Sequence, residues 1–141
     1  MSSSKEFAVP THIIQNKTIA SNSYHDYKVV GCRGKNGQSS GSSFDDKTGV
    51  LFYTLLNKNA VGCWNSKKEY KTETNGIVAS DPVTMIFPND LKVDKNGTLW
   101  VLTDRLPNFW FSKLDFNDVN FRIFSISTQD AIKGTVCDNS S

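Results

Sequence analysis

The chain has 141 residues, 38% of them hydrophobic, which suffices for a domain with its own core. Its formal net charge is only +2 and its basic residues are scattered, so the composition argues against a nucleic-acid partner. No apolar run approaches the length of a membrane span, and the first residues lack the apolar segment of a signal peptide. We therefore predict neither a nucleic-acid partner nor a membrane span.

The first part of the chain predicts three short strands. Phe7–Gln15 is apolar enough to form a strand, and Pro10 within it indicates an edge or a bulge. After a polar loop over Lys17–His25, the next strand is predicted at Tyr27–Val30. A loop rich in glycine and serine then leads into a third strand at Ser42–Asp45.

A turn motif occurs twice in the middle of the chain. The sequence DKTGVLF at residues 46–52 is matched 48 positions later by DKNGTLW at residues 94–100. Each copy has glycine where a tight turn needs a positive φ, with strand-like runs on both sides. The following apolar runs, Ala60–Trp64 and Asn108–Ser112, align at the same offset. A repeat of about 40–50 residues made of short strands has the size of one four-stranded propeller blade.

The rest of the chain extends this pattern. Gly49 and Gly97 are expected to close equivalent turns, and Phe109–Phe111 is expected to be a strand. Phe121–Ile126 predicts a further strand, and Thr128–Lys133 predicts a single helical turn that ends at a glycine. Because no long segment has a helical period, the predicted class is all-β.

Cysteines and glycosylation patterns bear on the compartment. The three cysteines have no Cys-x-x-Cys spacing, so no metal site is predicted; they are Cys32, Cys63 and Cys137. Three Asn-x-Ser/Thr patterns favour secretion, although asparagine-rich sequences also contain such triplets by chance. The acceptor residues are Asn16, Asn96 and Asn139.

Several motifs along the chain carry a family resemblance. They are AVGCWN at 60–65, FPNDLKVD at 87–94, LWVLTDRLP at 99–107, NFRI at 120–123 and GTVC at 134–137. Together they resemble the major royal jelly protein and Yellow family of insects. EFAV at 6–9 and SYHD at 23–26 are similar to its Yellow branch. The resemblance covers almost the whole chain.

The resemblance implies a secreted six-bladed β-propeller, of which this chain is the C-terminal part. Residues 1–141 would then be an incomplete propeller with two to three blades of four-stranded antiparallel sheet. We expect repeat units at about 27–75 and 76–127 with a tail at 128–141, and the missing N-terminal blades as structural partner. The family includes pigmentation proteins, dopachrome-converting enzymes, royal jelly nutrients and salivary proteins that capture amines, and fold alone cannot choose among them.

The resemblance also implies candidate ligand-binding residues. In amine-binding members a threonine, the asparagine of Phe-Pro-Asn-Asp and an aromatic residue two positions later contact the ligand. These positions fall on Thr74, on Asn89 and on Leu91, where the aromatic ring is missing. A hydroxyl and an amide oxygen can both accept a hydrogen bond from an ammonium group or a ring hydroxyl. The alternative for Asn89 is an Asx turn that enters the following strand.

The cysteine pairing follows from the resemblance as well. Cys63 and Cys137 occupy the family's usual cysteine positions, which implies a disulfide that ties the end of the chain to the Ala60–Trp64 strand. Cys32 is expected to stay unpaired. The alternative for Cys63 is a small buried apolar side chain.

Catalysis is the competing interpretation. Asp90, Asp94 and Asp104 lie near predicted strand ends, where one could act as a general base. A simpler role for Asp94 is to stabilise the turn that follows it. A simpler role for Asp104 is to form an ion pair or to cap a loop. His12 and His25 have no group of cysteine, histidine or aspartate residues near them in the sequence, so neither is predicted to bind a metal. We therefore predict a protein without a cofactor that binds a small aromatic amine or catechol; the alternatives are a tautomerase-like enzyme acting on dopachrome and a structural or nutritive protein.

Overall fold

A computed structural model describes residues 3–139 and forms three antiparallel sheets with few helices. The strands are β1 Lys5–Ala8, β2 Lys28–Cys32, β3 Ser42–Asp45, β4 Val50–Leu55, β5 Ala60–Asn65, β6 Asn75–Ser80, β7 Pro88–Val93, β8 Thr98–Asp104 and β9 Phe121–Ser127. The α-helices are α1 Thr11–Ile14, α2 Lys17–Ala20, α3 Leu106–Phe111 and α4 Thr128–Ile132. Short 3-10 turns cover Tyr24–Asp26, Leu56–Lys58 and Thr72–Thr74.

Neighbouring strands in each sheet are also consecutive in the chain. The strand orders are β1-β2, then β3-β4-β5-β6, then β7-β8-β9, and β3 and β4 both pack against β7. The structure confirms the predicted all-β class and the partial propeller. The two larger sheets run over residues 42–80 and 88–127, while the repeat units at 27–75 and 76–127 stay a prediction.

The repeated turn motif forms the first hairpin of each larger sheet. Gly49, with φ +72°, lies between β3 and β4, and Gly97, with φ +86°, lies between β7 and β8. The Asp94 carboxylate accepts hydrogen bonds from the N–H groups of Asn96 and Thr98, each at 2.9 Å. The hydrogen bond from Thr98, together with one from Trp100, lowers the pKa of Asp94. This carboxylate therefore serves its turn, as the sequence indicated.

The third strand of the second repeat is not where the offset predicted it. Phe109–Phe111 lies in α3, so the alignment of Asn108–Ser112 with Ala60–Trp64 is wrong as a strand match. A proline in the first turn has a φ suited to a helix start, and Asp104 accepts a hydrogen bond from the Leu106 N–H at 2.8 Å. The chain makes a helical excursion here, and β9 completes the sheet afterwards.

The N-terminal segment also departs from the prediction. The strand predicted over Phe7–Gln15 ends at Ala8, because Pro10 cannot continue the strand's hydrogen bonds and α1 starts just after it. The predicted polar loop contains α2. The Asn16 side-chain oxygen caps that helix by accepting hydrogen bonds from the N–H groups of Thr18 and Ile19, at 3.0 and 3.2 Å.

The main core lies between the two larger sheets, and the C-terminal segment completes it. Its buried members are Val50, Phe52, Val61, Cys63, Met85, Leu91, Leu99, Val101, Ala131, Ile132 and Cys137. Cys63 and Cys137 form a disulfide with a Cα–Cα distance of 6.2 Å, the pairing that the resemblance implied, and Cys32 is free and exposed. The helical turn predicted after β9 is α4, and Gly134 follows it with φ +74°.

A buried arginine joins the two-stranded sheet to the rest of the molecule. Arg33 is 5% exposed and pairs with the Glu6 carboxylate. Its remaining N–H groups donate to the Tyr70 hydroxyl and to the carbonyl oxygens of Ser3, Lys5 and Gly37. Burial raises the pKa of Tyr70 to about 12, so the phenol stays protonated beside the guanidinium. We call this set the Arg33 cluster.

Candidate functional site

The Phe-Pro-Asn-Asp segment carries two backbone irregularities at the start of β7. Phe87 has φ +45°, a left-handed conformation that is costly for an aromatic residue. The pairing of β7 with β8 then shifts between Pro88 and Asp90, which leaves Asn89 in a β-bulge. Such irregularities are frequent beside binding and active sites, where they redirect a side chain.

Asn89 is held by its backbone and not by its side chain. Its carbonyl oxygen accepts a hydrogen bond from the Ser40 hydroxyl at 2.6 Å. Its half-buried amide side chain has no hydrogen bond with any residue in the range 3–139. An amide in this situation has both donor and acceptor capacity left for a ligand.

The Ser40 hydroxyl is positioned by a neighbouring buried threonine. Thr54 is fully buried, and its hydroxyl oxygen lies 2.9 Å from the Ser40 hydroxyl. The same oxygen accepts hydrogen bonds from the N–H groups of Ser40, at 3.0 Å, and Gly41, at 3.2 Å. The start of β3 and the start of β7 are thus fastened to each other beside Asn89.

Asp90 adds a carboxylate at the same place. A Cβ atom on Gly41 would lie 2.7 Å from the Asp90 Oδ1 atom, so a larger residue at position 41 would require the Asp90 carboxylate to shift. Asp90 is exposed, and its Oδ1 accepts a hydrogen bond from the Leu91 N–H at 2.8 Å. An amide and a carboxylate on adjacent residues can serve a cationic amine, one by hydrogen bonding and the other by charge.

Thr74 does not lie near Asn89. It precedes Asn75, whose partner in β5 is Trp64, so it lies at the Gly49 end of its sheet. Asn89 lies at the opposite end, against Ser40 and Thr54. Three strand spacings of about 4.8 Å put β6 about 14 Å from β3 before the offset along the strands is added.

The Thr74 hydroxyl is also already engaged. It lies 2.5 Å from the Glu69 carbonyl oxygen and 3.0 Å from that of Lys71, and so closes the loop before β6. The expected convergence of Thr74 with Asn89 on one cavity is therefore not present. A sequence distance along a loop could not reveal this, because the loop turns back on itself.

Leu91 is a core residue in the structure. It is 5% exposed and packs in the main core with Leu99 and Val101. Its side chain alternates away from exposed Asp90 and Lys92, as neighbours in a strand do. The Leu91 position, where amine-binding relatives are expected to have a ring that stacks on the ligand, therefore packs between the two sheets.

Leu91→Phe is expected to destabilise the protein without improving ligand affinity. The larger ring would have to be accommodated against Leu99 and Val101, and overpacking costs about 1–3 kcal/mol, whereas Leu91→Met should cost less than about 1.5 kcal/mol. Urea denaturation followed by tryptophan fluorescence gives the free energy of unfolding of both variants. A Phe variant as stable as the parent, with tighter amine binding, would contradict this placement.

The other candidate carboxylates and histidines either have structural roles or lie away from Asn89 and Asp90. Asp104 is 8% exposed and accepts a hydrogen bond from the Leu106 N–H at the start of α3. His25 stacks on Tyr24 with ring centroids 3.7 Å apart, and His12 lies on the exposed side of α1. Within residues 3–139, no three histidine, cysteine or acidic side chains are grouped as metal ligands would be. None of the helices in that range is long and apolar enough to cross a membrane.

The three glycosylation patterns differ in accessibility. Asn16 and Asn96 are exposed, and their side-chain nitrogens make no internal hydrogen bond in the part of the chain described. The Asn139 side-chain nitrogen instead donates to the Thr48 carbonyl oxygen at 3.0 Å, and its Oδ1 accepts from Asn65 at 2.9 Å. The last two residues of that third pattern lie outside the described range.

Sequence reasoning missed the contribution of β4 and of the loop before β3 to this site. Ser40, Gly41 and Thr54 were not singled out, since they lie in a polar loop and in an ordinary strand. The repeat held a usable signal, because Gly41 precedes Asn89 by the same 48 positions that separate the two turn motifs. In the structure Gly41 lies beside Asp90, the residue that follows this equivalent position.

Comparison with known proteins shows which family the chain belongs to. The family model for major royal jelly protein matches residues 1–137. Protein yellow of Drosophila melanogaster is 41% identical over 138 residues, which cover 98% of this chain and 25% of that protein. Protein yellow of Drosophila subobscura is also 41% identical over 138 residues, covering 98% of this chain and 24% of that protein. The chain spans about a quarter of the length of these curated relatives. It belongs to the major royal jelly protein family.

Proposed function

We propose that this chain is part of a secreted, Yellow-type propeller protein that binds a small aromatic amine or catechol. The observation that carries the proposal is Asn89, a half-buried amide at a β-bulge with no hydrogen-bond partner among residues 3–139. Its backbone is fixed by Ser40, so only the side chain of Asn89 has to be ordered on binding. Asp90 supplies a negative charge for an ammonium group.

Secretion is part of this proposal. The disulfide between Cys63 and Cys137 is typical of oxidising compartments. Asn16 and Asn96 are exposed acceptors for N-linked glycans, while Asn139 would have to give up its hydrogen bond to Thr48 first. The remaining blades would come from the additional length that the relatives have, and a role in pigmentation or saliva would follow from the ligand.

Calorimetry with serotonin, dopamine and histamine tests the amine site. Asn89→Ala should weaken the binding of the preferred amine about tenfold to a hundredfold, because hydrogen bonds to charged groups contribute about 1.5–3 kcal/mol. Asn96→Ala is the matched control, since Asn96 is exposed at the other end of the same hairpin. Equal effects of the two substitutions, or no binding by the folded parent, would reject the site.

A second comparison separates the amine from the catechol. Asp90→Asn should weaken dopamine binding and leave 4-methylcatechol unaffected if Asp90 pairs with the ammonium group. An equal change for both ligands would mean that the ring hydroxyls are recognised instead.

The alternative function is conversion of dopachrome, and Asp90 is the observation that favours it. An exposed carboxylate beside Asn89 could take a proton from a bound substrate, and general bases contribute about 10²–10⁴-fold in rate. The loss of dopachrome absorbance in the presence of the parent and of Asp90→Asn measures this directly. With neither binding nor conversion, the structural or nutritive role would be preferred.

A further inference from the structure

The helical excursion between β8 and β9 encloses a separate cavity. The cavity has a volume of about 310 Å³, at the lower end of the range of small-molecule sites. Its apolar walls are Leu106, Phe109, Leu114 and Phe121. Phe109 and Phe121 are 64% and 68% exposed, so aromatic surface is available to a small molecule here. Neither Asn89 nor Asp90 lines this cavity.

Two polar atoms at this cavity lack partners. They are the Nε of Arg105 and the Oδ1 of Asn120, and both are buried without a hydrogen bond among residues 3–139. Unpaired buried polar atoms are uncommon in native proteins, because each costs about 1–3 kcal/mol. Both residues line the same aromatic cavity, which points to a ligand that supplies the missing hydrogen bonds.

Other polar atoms of these two residues already have partners. Arg105 pairs with the Asp118 carboxylate through Nη1. The Asn120 side-chain nitrogen donates to the carbonyl oxygens of Asp115, at 2.7 Å, and Asp118, at 3.1 Å. These bonds orient both side chains, so the buried Nε–H of Arg105 and the buried Oδ1 of Asn120 are preformed groups.

The chemistry of these two atoms selects the ligand class. The Arg105 Nε–H needs an acceptor, and the Asn120 Oδ1 needs a donor. A hydroxyl provides both, whereas an ammonium group has no acceptor and a carboxylate has no donor. A carboxylate would also meet the negative charges of Asp104 and Asp118. We propose that this cavity binds an uncharged phenol or aromatic alcohol, its ring against Phe109 and Phe121 and its hydroxyl between Arg105 and Asn120.

Fluorine NMR titration with 4-fluorophenol tests the proposal on the 141-residue chain. Binding should be saturable, and 4-fluoroanisole should bind about two- to tenfold more weakly, because its oxygen accepts but cannot donate to Asn120. Fluorobenzylamine, which is cationic at neutral pH, should bind more weakly than the phenol as well. No saturable binding of 4-fluorophenol by the folded chain, or equal affinity for all three probes, would overturn the proposal.

A matched pair of variants locates the binding. Phe109→Ala removes a wall of the cavity, whereas Trp110→Ala removes the next exposed ring of α3, which does not line it. We expect about a two- to tenfold loss of 4-fluorophenol affinity for the first and no change for the second. Equal losses would indicate non-specific contact with exposed aromatic surface and would reject the site. If Phe109→Ala fails to fold, the ranking of the three probes on the parent decides.

Discussion

Replacement of both bridged cysteines by alanine is expected to lower the free energy of unfolding by about 4 kcal/mol, since the bridge closes a loop between residues 74 positions apart. Both cysteines are fully buried in the main core, so the substitution also loosens the packing of the C-terminal segment between the sheets. Urea denaturation of the oxidised parent and of the double variant, followed by circular dichroism, measures the difference. At this size the loss is a large fraction of the stability of a typical domain.

Cys32→Ala is the control for this experiment. Cys32 is exposed and unpaired, so its removal should change the free energy of unfolding by no more than about 0.5 kcal/mol. If the double variant proved as stable as the parent, the C-terminal segment would have to be held by Ala131, Ile132 and its hydrogen bonds alone. That outcome would contradict the structural role assigned to the bridge.

Arg33→Met is expected to destabilise the protein by about 3 kcal/mol, because it leaves the Glu6 carboxylate and three carbonyl oxygens without their donor. The two-stranded sheet should be affected first, since the Arg33 cluster is what joins it to the larger sheet. Hydrogen exchange should therefore speed up in β1 and β2 well before the main core. Thermal denaturation gives the overall change in stability.

A double-mutant cycle with Glu6→Gln separates the ion pair from the carbonyl contacts. If the charge pair dominates, the double variant should be less destabilised than the sum of the two single variants. Lys35→Met removes an exposed positive charge nearby and should stay within about 0.5 kcal/mol of the parent. An Arg33→Met variant as stable as Lys35→Met would show that the cluster contributes nothing to stability.

The fold could be predicted where the local turn and strand patterns agree with the sequence repeat. The turns at Gly49 and Gly97 follow from glycine and its flanking polar residues, and β4, β5 and β9 follow from their apolar runs. The strand predicted over Phe109–Phe111 is wrong, although three aromatic residues in a row favour a strand by their β-propensity. The proline before them and the hydrogen bond from the Leu106 N–H to Asp104 favour the helix instead, and these outweigh β-propensity.

The candidate site was predictable only in part. Asn89 stays a prediction from its motif, whereas the positions of Thr74 and Leu91 could not be predicted, since the loop before β6 and the direction of the Leu91 side chain depend on tertiary packing. Nothing in the sequence indicates that the Arg105 Nε and the Asn120 Oδ1 would lack hydrogen-bond partners. Whether a polar atom has a partner becomes known only when the atoms around it are known.

The contact between Gly41 and Asp90 makes adjacent repeats unequal. A Cβ atom at position 41 would lie 2.7 Å from the Asp90 carboxylate oxygen, so a side chain in the first repeat would displace that carboxylate in the second. Identical copies placed side by side could therefore not each keep the carboxylate in this position. A change at the entry of one sheet thus acts on the candidate site of its neighbour.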